Sequence, residues 1–329
     1  MKKNLFVLLM AAMLMLVLAA CGTNEEASGD AENVEAATSS NGSTEAKESE
    51  EITVKHELGE AVVTKNPKNV VVFDFGALDT LDKLGIDVAG VAKGSSLPGY
   101  LSKYEDDQYE NVGSLKEPDF ETIYGMEPEL ILISGRQSAA YEELNKIAPT
   151  VFIGVDNANY MESFTHNVEL LGEIFGKEDD AEAELAKIND TIAELQEMTK
   201  ADDKKGLLTL TTGGKMSAYG PGSRFGIVHD VFGVKPADEN IEASTHGMNV
   251  TFEYIAETNP DYLFIIDRDQ AVGEEAKASE LFNNDLVNKT NAAKEGKLIY
   301  LDPTVWYLAG GGLTSVAQQV EEVKAGLDQ

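Results

Sequence analysis

Two uninterrupted apolar runs, at residues 130–133 and 262–265, predict buried β-strands. Their sequences, LILI and YLFI, leave no polar position for a solvent-facing side of a sheet. Such continuous runs are typical of parallel sheets, because helices cover both faces of each strand. A short helical pattern and a loop with Pro128 or Pro260 precede each run, so each run predicts a helix–loop–strand unit.

The two units are copies of one pattern. The stretch 119–137 aligns without gaps with a second stretch further along the chain, so that Phe120 matches Phe252 and Arg136 matches Arg268. A chance likeness between two ordinary α/β units is the alternative. We interpret the copies as two related α/β lobes, each Rossmann-like, with a ligand cleft between them.

A long amphipathic helix is predicted between the copies, over residues 178–200. Large apolar residues recur there at steps of three and four, at Leu185, Ile188, Ile192, Leu195 and Met198. This spacing puts one apolar stripe along a helix of about 20 residues, which spans roughly 30 Å. A single helix of this length would join the lobes and limit their hinge motion.

The N-terminus has the pattern of a secretory signal. Lys2 and Lys3 are followed by an uncharged apolar run, residues 5–18, which is short for a membrane span. The run closes on Leu-Ala-Ala-Cys, which resembles the lipobox of bacterial lipoproteins and implies that Cys21 carries a lipid. An ordinary signal peptide is the alternative. Cys21 is the single cysteine, so no internal disulfide can form.

The segment after Cys21 is rich in acidic and small residues and nearly free of large apolar ones, which predicts a disordered tether. These patterns together divide the chain into five parts. They are a signal peptide (1–20), the lipidated cysteine with its tether (21–51), an N-terminal lobe (52–176), an interlobe helix (177–200) and a C-terminal lobe (201–329).

The composition is strongly acidic, with a formal net charge of −32. A phosphate backbone would be repelled by such a field, which argues against nucleic-acid binding. An anionic small ligand is equally disfavoured unless positive groups are concentrated at one place.

The three arginines of the chain supply that concentration. Arg136 and Arg268 follow the two matched strands, and Arg224 lies in a glycine-rich junction, YGPGSRFG. Ligands of open α/β sheets bind beyond the carboxyl ends of the strands, so we expect all three in one cleft. A guanidinium offers fixed, planar donors that suit carboxylate, catecholate or phosphate oxygens. The alternative is a structural salt bridge at each, which Asp267 and Asp269 make plausible for Arg268.

Two further loops carry candidate residues. His246 lies in EASTHGMN, and Trp306 and Tyr307 lie in DPTVWYLAGGG. A lone histidine or tyrosine is usually structural, but imidazole and phenolate are also good ligands for ferric iron.

Enzyme classes are disfavoured by what the sequence lacks. It has no G-x-S-x-G, H-E-x-x-H or P-loop motif, and its one thiol is the predicted lipidation site. A bare zinc or manganese site is also disfavoured, because only four histidines occur and they are scattered over the chain.

Signal sequence, acidic tether, two α/β lobes and one connecting helix resemble the substrate-binding lipoproteins of ABC iron–siderophore importers. These belong to the class with a rigid interlobe helix, class III, which also includes vitamin B12 and hydroxamate binders. The placement of Arg136, Arg224, His246, Arg268 and Tyr307 is similar to the catecholate branch, which binds ferric petrobactin and breakdown products of ferric enterobactin.

The resemblance implies a non-enzymatic receptor, anchored outside the cytoplasm, that carries a ferric catecholate siderophore as ligand and has no cofactor. Its partner would be an ABC permease dimer with its ATPase, and the receptor itself a monomer. Three arginines would surround the anionic complex, with Trp306 also in the pocket. His246 and Tyr307 would fill iron sites left open by tetradentate ligands. A haem- or cobalamin-binding lipoprotein of the same scaffold is the alternative.

The duplication also suggests docking residues. Glu121 and Glu253 match between the copies, each near a predicted helix start, with Glu117 a rival in the first lobe. In the family, one glutamate of each lobe pairs with permease arginines. Simple helix capping is the alternative for both.

Overall fold

A computed structural model describes residues 50–275 and 277–328 of the chain. The predicted signal peptide, Cys21 and nearly all of the predicted tether lie outside the described residues. Within those two ranges, no helix is both long enough and apolar enough to cross a bilayer.

The strands of this part, in chain order, are β1 (Glu51–His56), β2 (Gly59–Thr64), β3 (Val70–Val72), β4 (Gly90–Val91), β5 (Glu110–Asn111), β6 (Leu130–Ile133), β7 (Thr150–Phe152), β8 (Lys205–Thr212), β9 (Lys215–Tyr219), β10 (Lys235–Pro236), β11 (Met248–Val250), β12 (Tyr262–Asp267) and β13 (Leu298–Leu301).

The α-helices are α1 (Phe75–Lys83), α2 (Phe120–Met126), α3 (Tyr141–Leu144), α4 (Tyr160–Phe175), α5 (Glu178–Ala201), α6 (Ile227–Asp230), α7 (Phe252–Thr258), α8 (Arg268–Ala271), α9 (Ala278–Leu281), α10 (Asn291–Lys294) and α11 (Leu313–Asp328). Short 3₁₀ turns at Gly99–Glu105, Ser138–Ala140, Asn157–Asn159 and Val287–Lys289 and one π-helical turn at Thr304–Leu308 complete the set.

The N-terminal lobe is built on a parallel sheet with strand order β5-β4-β3-β6-β7. Its two central strands are apolar throughout, and every residue of β3 and β6 is fully buried. Strand β6 is the first of the two predicted apolar runs. The prediction of a parallel sheet covered on both faces is confirmed for this lobe.

The C-terminal lobe has a mixed sheet, with strand order β11-β9-β8-β12-β13 and β10 beside β8. Strands β8, β12 and β13 run parallel, whereas β9 is antiparallel to both β8 and β11. A two-residue turn at Gly213 and Gly214 joins β8 to β9, with φ of 55° and 73°. Positive φ at both positions is what a tight hairpin turn requires, and glycine adopts it without steric cost. The α/β fold class with two lobes is confirmed, with a parallel core in each sheet and an antiparallel edge in the second.

The predicted interlobe helix is α5, which ends one residue later than expected, at Ala201. Its buried face carries Leu185, Ile188, Ile192 and Leu195 and packs between α4 and α11. Three acidic residues in its first turn and a lysine in its last turn oppose the charges of the helix dipole. The helix is therefore a single element about 36 Å long, and along the chain it connects the N-terminal sheet to the C-terminal sheet.

The last helix of the chain is capped from the first lobe. Backbone N–H groups of Thr314 and Ser315, in the first turn of α11, donate to the Asp79 carboxylate at 2.9 and 2.7 Å. The Leu313 N–H donates to the Thr80 hydroxyl at 3.3 Å. Asp79 is fully buried and also accepts from the Tyr100 hydroxyl. Because α1 supplies these acceptors, the N-terminus of α11 is fixed to the opposite end of the sequence.

Candidate functional site

Arg136 follows β6 in a short loop that is fixed by hydrogen bonds of the buried Gln137 side chain. The Ser134 N–H donates to Gln137 Oε1 at 3.0 Å, and Gln137 in turn donates from Nε2 to the Leu115 carbonyl. Gln137 is only 1% exposed, so it anchors the loop while Arg136 beside it stays partly exposed. Arg136 donates from Nη2 to the main-chain carbonyl of Tyr307 at 2.7 Å.

Arg224 reaches the same carbonyl from the other lobe. Its Nη2 donates to the Tyr307 oxygen at 2.7 Å, and its guanidinium carbon lies 4.3 Å from the centre of the Tyr307 ring. The loop is fixed by the Arg224 N–H, which donates to the Ser244 carbonyl, and by the ring of Phe225 below the guanidinium. Burial lowers the pKa of Arg224, and the positive charge of Arg136 nearby lowers it further.

Arg268 is the first residue of α8, directly after β12. Its Nη1 lies 3.3 Å from a carboxylate oxygen of Asp269 and 3.3 Å from one of Glu274. Asp269 is 2% exposed and is also bound by the Thr212 hydroxyl and the Gly213 N–H, so its role is structural. The expected alternative of a structural salt bridge therefore holds in part for Arg268, although its guanidinium also faces the Tyr307 ring at 6.0 Å.

Tyr307 is the point at which the three arginine loops meet. It lies on the π-helical turn Thr304–Leu308, a distortion that often occurs at functional positions. Burial acts to raise the pKa of the phenol, but the neighbouring guanidinium groups of Arg268 and Arg224 favour the phenolate and outweigh it, so the pKa is lowered. The sequence predicted the arginines to come together, and the structure brings them together around this side chain.

Trp306 is not part of this cluster. Its side chain is 3% exposed, and the indole N–H donates to a Glu322 carboxylate oxygen at 2.8 Å. Neighbouring residues on the π-helical turn point to different sides, so Trp306 packs into the core whereas Tyr307 faces the arginines. The expectation that Trp306 lines the ligand pocket is corrected accordingly.

His246 lies on an exposed loop before β11. Its N–H donates to the Ser244 hydroxyl, and its carbonyl accepts from the Tyr219 hydroxyl at 3.1 Å. The Tyr219 ring packs edge-on against Phe225 at 4.8 Å, which connects the loop to the residue after Arg224. The main chain of His246 is thus tied to the arginine region, while its imidazole is at the surface.

The supporting residues were not foreseen from the sequence. Gln137 and Glu274 have no motif that marks them, since a buried glutamine and a surface glutamate look like any other. The one sequence signal for a role in the site was proximity to an arginine: Gln137 directly follows Arg136, and Glu274 comes six residues after Arg268. In residues 50–275 and 277–328, no three His, Cys, Asp or Glu side chains are grouped as metal ligands would be.

The matched glutamates are both exposed, in the first turns of α2 and α7. The N-caps of these helices are other residues: Asp119 accepts from the Thr122 N–H, and Thr251 accepts from the Tyr254 N–H. Glu121 and Glu253 are therefore not the capping residues. The pKa of Glu253 is lowered, because its carboxylate lies near its own backbone N–H and the Thr251 hydroxyl.

Comparison with known proteins shows the family to which this chain belongs. The sequence profile of the periplasmic binding proteins matches residues 70–305. This chain belongs to that family. The petrobactin-binding protein YclQ of Bacillus subtilis (strain 168) is 51% identical over 331 residues, which cover 99% of this chain and all of YclQ.

Solved structures of the family agree. The crystal structure of YclQ superposes with a TM-score of 0.84 and 55% identity, over 85% of this chain and 99% of that chain. The catecholate-siderophore-binding protein VctP of Vibrio cholerae gives 0.80 and 37% identity, over 84% of this chain and all of VctP. Members of the family bind and carry a ligand rather than transform it, which confirms the prediction of a non-enzymatic protein whose ligand is not a cofactor.

Proposed function

We propose that this protein is an extracytoplasmic receptor that captures a ferric catecholate siderophore and delivers it to an ABC importer. The observation that carries the proposal is the meeting of Arg136, Arg224 and Arg268 around Tyr307. YclQ, half identical to this chain, is a petrobactin-binding protein, and VctP is a catecholate-siderophore-binding protein. A petrobactin-like bis-catecholate is therefore the ligand class that we expect.

Charge is the physical basis of the selectivity. Ferric catecholates are anionic, and this chain is strongly acidic, so a ligand of that sign needs a local excess of cations. Arg136 and Arg224 each use one N–H group on the Tyr307 carbonyl, which leaves other donors of each guanidinium for the ligand. Each charge-assisted contact is worth about 1.5–3 kcal/mol.

Direct iron ligation is the second part of the proposal. A tetradentate bis-catecholate leaves two iron sites open, and we propose Tyr307 and His246 for them. The lowered pKa of Tyr307 supports its part, because the phenolate is the form that binds ferric iron. The exposed position of His246 leaves its imidazole free to turn toward the ligand.

Delivery requires contact with the permease dimer, and we propose Glu121 and Glu253 as the docking acids. Both are exposed and neither is needed as an N-cap. Glu117, the rival in the first lobe, lies in a tight turn with Ser114, whose hydroxyl accepts from its N–H. The receptor would act as a monomer, held at the membrane through a lipid on Cys21.

The test is a titration of the purified protein with ferric catecholate, followed by the fluorescence of Trp306, the single tryptophan, which adjoins Tyr307. Arg136→Ala, Arg224→Ala and Arg268→Ala should each weaken binding at least about tenfold, the equivalent of one charge-assisted contact. The control is Lys146→Ala, which removes an exposed cation paired with Glu143. The melting temperature of all four is measured in parallel, because Arg136→Ala and Arg224→Ala also remove a hydrogen bond to the Tyr307 carbonyl. Wild-type affinity in all three arginine variants, or preferential binding of haem or cobalamin, would contradict the proposal.

A further inference from the structure

Helix α2 exposes two aromatic side chains on one face. Tyr124 is 72% exposed and Phe120 is 39% exposed, and their spacing of four residues puts them side by side on the helix. Ile123, which comes between them in the sequence, is fully buried and holds the helix to the lobe. Most of Tyr124 and part of Phe120 therefore form a patch of apolar surface in water.

The matched helix of the other lobe lacks such a patch. Phe252, at the position of Phe120, packs edge-on against Phe282 with ring centres 6.1 Å apart. Ala256 stands at the position of Tyr124. The exposed aromatic pair is thus specific to α2, whereas the exposed glutamate one residue after each phenylalanine is common to both helices.

The patch lies at the end of the sheet that carries the arginine cluster. Helix α2 follows β5 of the parallel sheet, so its first turn is near the carboxyl ends of the strands. The loop that leads to it is bound to the arginine loop, because Gln137 donates to the Leu115 carbonyl. A partner that covers this patch is therefore adjacent to the region in which the ligand is proposed to sit.

The surroundings of the patch are acidic. Glu117, Glu121, Glu127 and Glu129 are all exposed in the same stretch of chain. Aromatic side chains next to carboxylates fit a partner surface with arginine or lysine, since guanidinium groups pair with carboxylates and also stack on aromatic rings. A tyrosine that is desolvated on binding is a common energetic centre of such interfaces.

We propose that Phe120, Tyr124 and Glu121 form one docking patch for the cationic extracytoplasmic face of the permease. This inference rests on the proposed function and extends it. It makes docking asymmetric: the N-terminal lobe binds through an aromatic pair and a carboxylate, and the C-terminal lobe through Glu253 on a helix that lacks such an exposed pair.

The experiment compares the double variant Phe120→Ser/Tyr124→Ser with Val62→Ser and Tyr300→Ser. The control positions are also exposed apolar side chains, at 50% and 47%. Each variant replaces the wild-type receptor in cells that depend on it, and uptake of iron-55 ferric bis-catecholate is measured at limiting ligand. Ligand affinity and melting temperature of each purified variant are measured in parallel.

Uptake should fall at least about tenfold in the double variant, which is the loss of one hot-spot side chain, while its ligand affinity stays within about twofold of wild type. Both controls should support normal uptake, and Tyr124→Phe should retain most of it. Normal uptake with the double variant overturns the inference. If that variant with normal uptake also loses self-association on gel filtration, the patch binds a second copy of the chain and not the permease. Failure of the wild-type protein to bind ferric catecholate would instead overturn the proposed function.

Discussion

Arg268 differs from the other two arginines because its guanidinium already forms ion pairs with two carboxylates, those of Asp269 and Glu274. Asp269 is buried and bound by other groups, but Glu274 is 58% exposed and touches nothing else among the described side-chain contacts. Glu274 therefore holds the place on Arg268 that an anionic ligand would take. We expect its carboxylate to compete with the proposed ligand, so that only a ligand with enough negative charge would displace it.

Glu274→Gln should raise the affinity for ferric bis-catecholate severalfold, because a neutral amide competes less well for the guanidinium. The matched control is Glu275→Gln, which removes the same charge one residue away, where the structure shows no ion pair with Arg268. Titrations at low and at high salt measure both. Equal effects of the two substitutions would indicate a general field effect, and a weaker affinity for Glu274→Gln would contradict the competition.

Tyr307→Phe and His246→Ala should each weaken binding of a tetradentate ferric complex and shift its charge-transfer band, and hardly affect a hexadentate complex. Ligation by the phenolate releases a proton, so affinity for the tetradentate complex should rise with pH until the pKa of Tyr307 is reached. That pKa lies below the ordinary value of 10.0. The rise should be lost in Tyr307→Phe. Equal losses for both ligand classes would mean that these residues shape the pocket without touching iron.

At the scale of elements, the two helices with matched glutamates give a separate test of delivery. Charge reversal at both, Glu121→Lys with Glu253→Lys, should abolish siderophore-dependent iron uptake and leave ligand binding by the purified protein intact. The control reverses two exposed acids elsewhere, Glu142 on α3 and Glu197 on α5. Uptake at the normal rate in the first double variant would assign docking to other residues.

Strands and helices that have a local pattern of apolar residues could be predicted from the sequence. The runs that became β6 and β12, and the stripe that became α5, are local patterns set by burial. The hairpin between β8 and β9 also had a signal, Gly213-Gly214 between two apolar stretches, which the parallel interpretation passed over. A glycine pair of this kind is among the clearer short-range indicators of a hairpin.

The centre of the site was only half predictable. Placing Arg136 and Arg268 at strand ends follows from the repeat, but the position of Tyr307 depends on a π-helical turn and on packing between lobes. No local pattern distinguishes Tyr307 from Trp306, so the sequence favoured both although only one faces the arginines. Contacts of high sequence separation have no local signature.

At the scale of the whole molecule, the capping of α11 by Asp79 links the lobes. Asp79→Ala should lower the free energy of unfolding by about 1–3 kcal/mol, because backbone donors at a buried helix start would lose their acceptor. Urea denaturation measures this, with Asp190→Ala on the exposed face of α5 as the control. A change below about 0.5 kcal/mol for Asp79→Ala would mean that the cap contributes nothing to stability.

The same cap has a consequence for the order of assembly. The acceptors for α11 come from α1, more than 230 positions earlier in the chain, so neither helix reaches its final environment until the last residues are present. The contacts between α1 and α11 cannot form until the C-terminal helix has been synthesised, and long-range closure of this kind slows folding. If the predicted signal sequence exports the chain in extended form, such a delay would keep the N-terminal half unfinished until the whole chain has arrived.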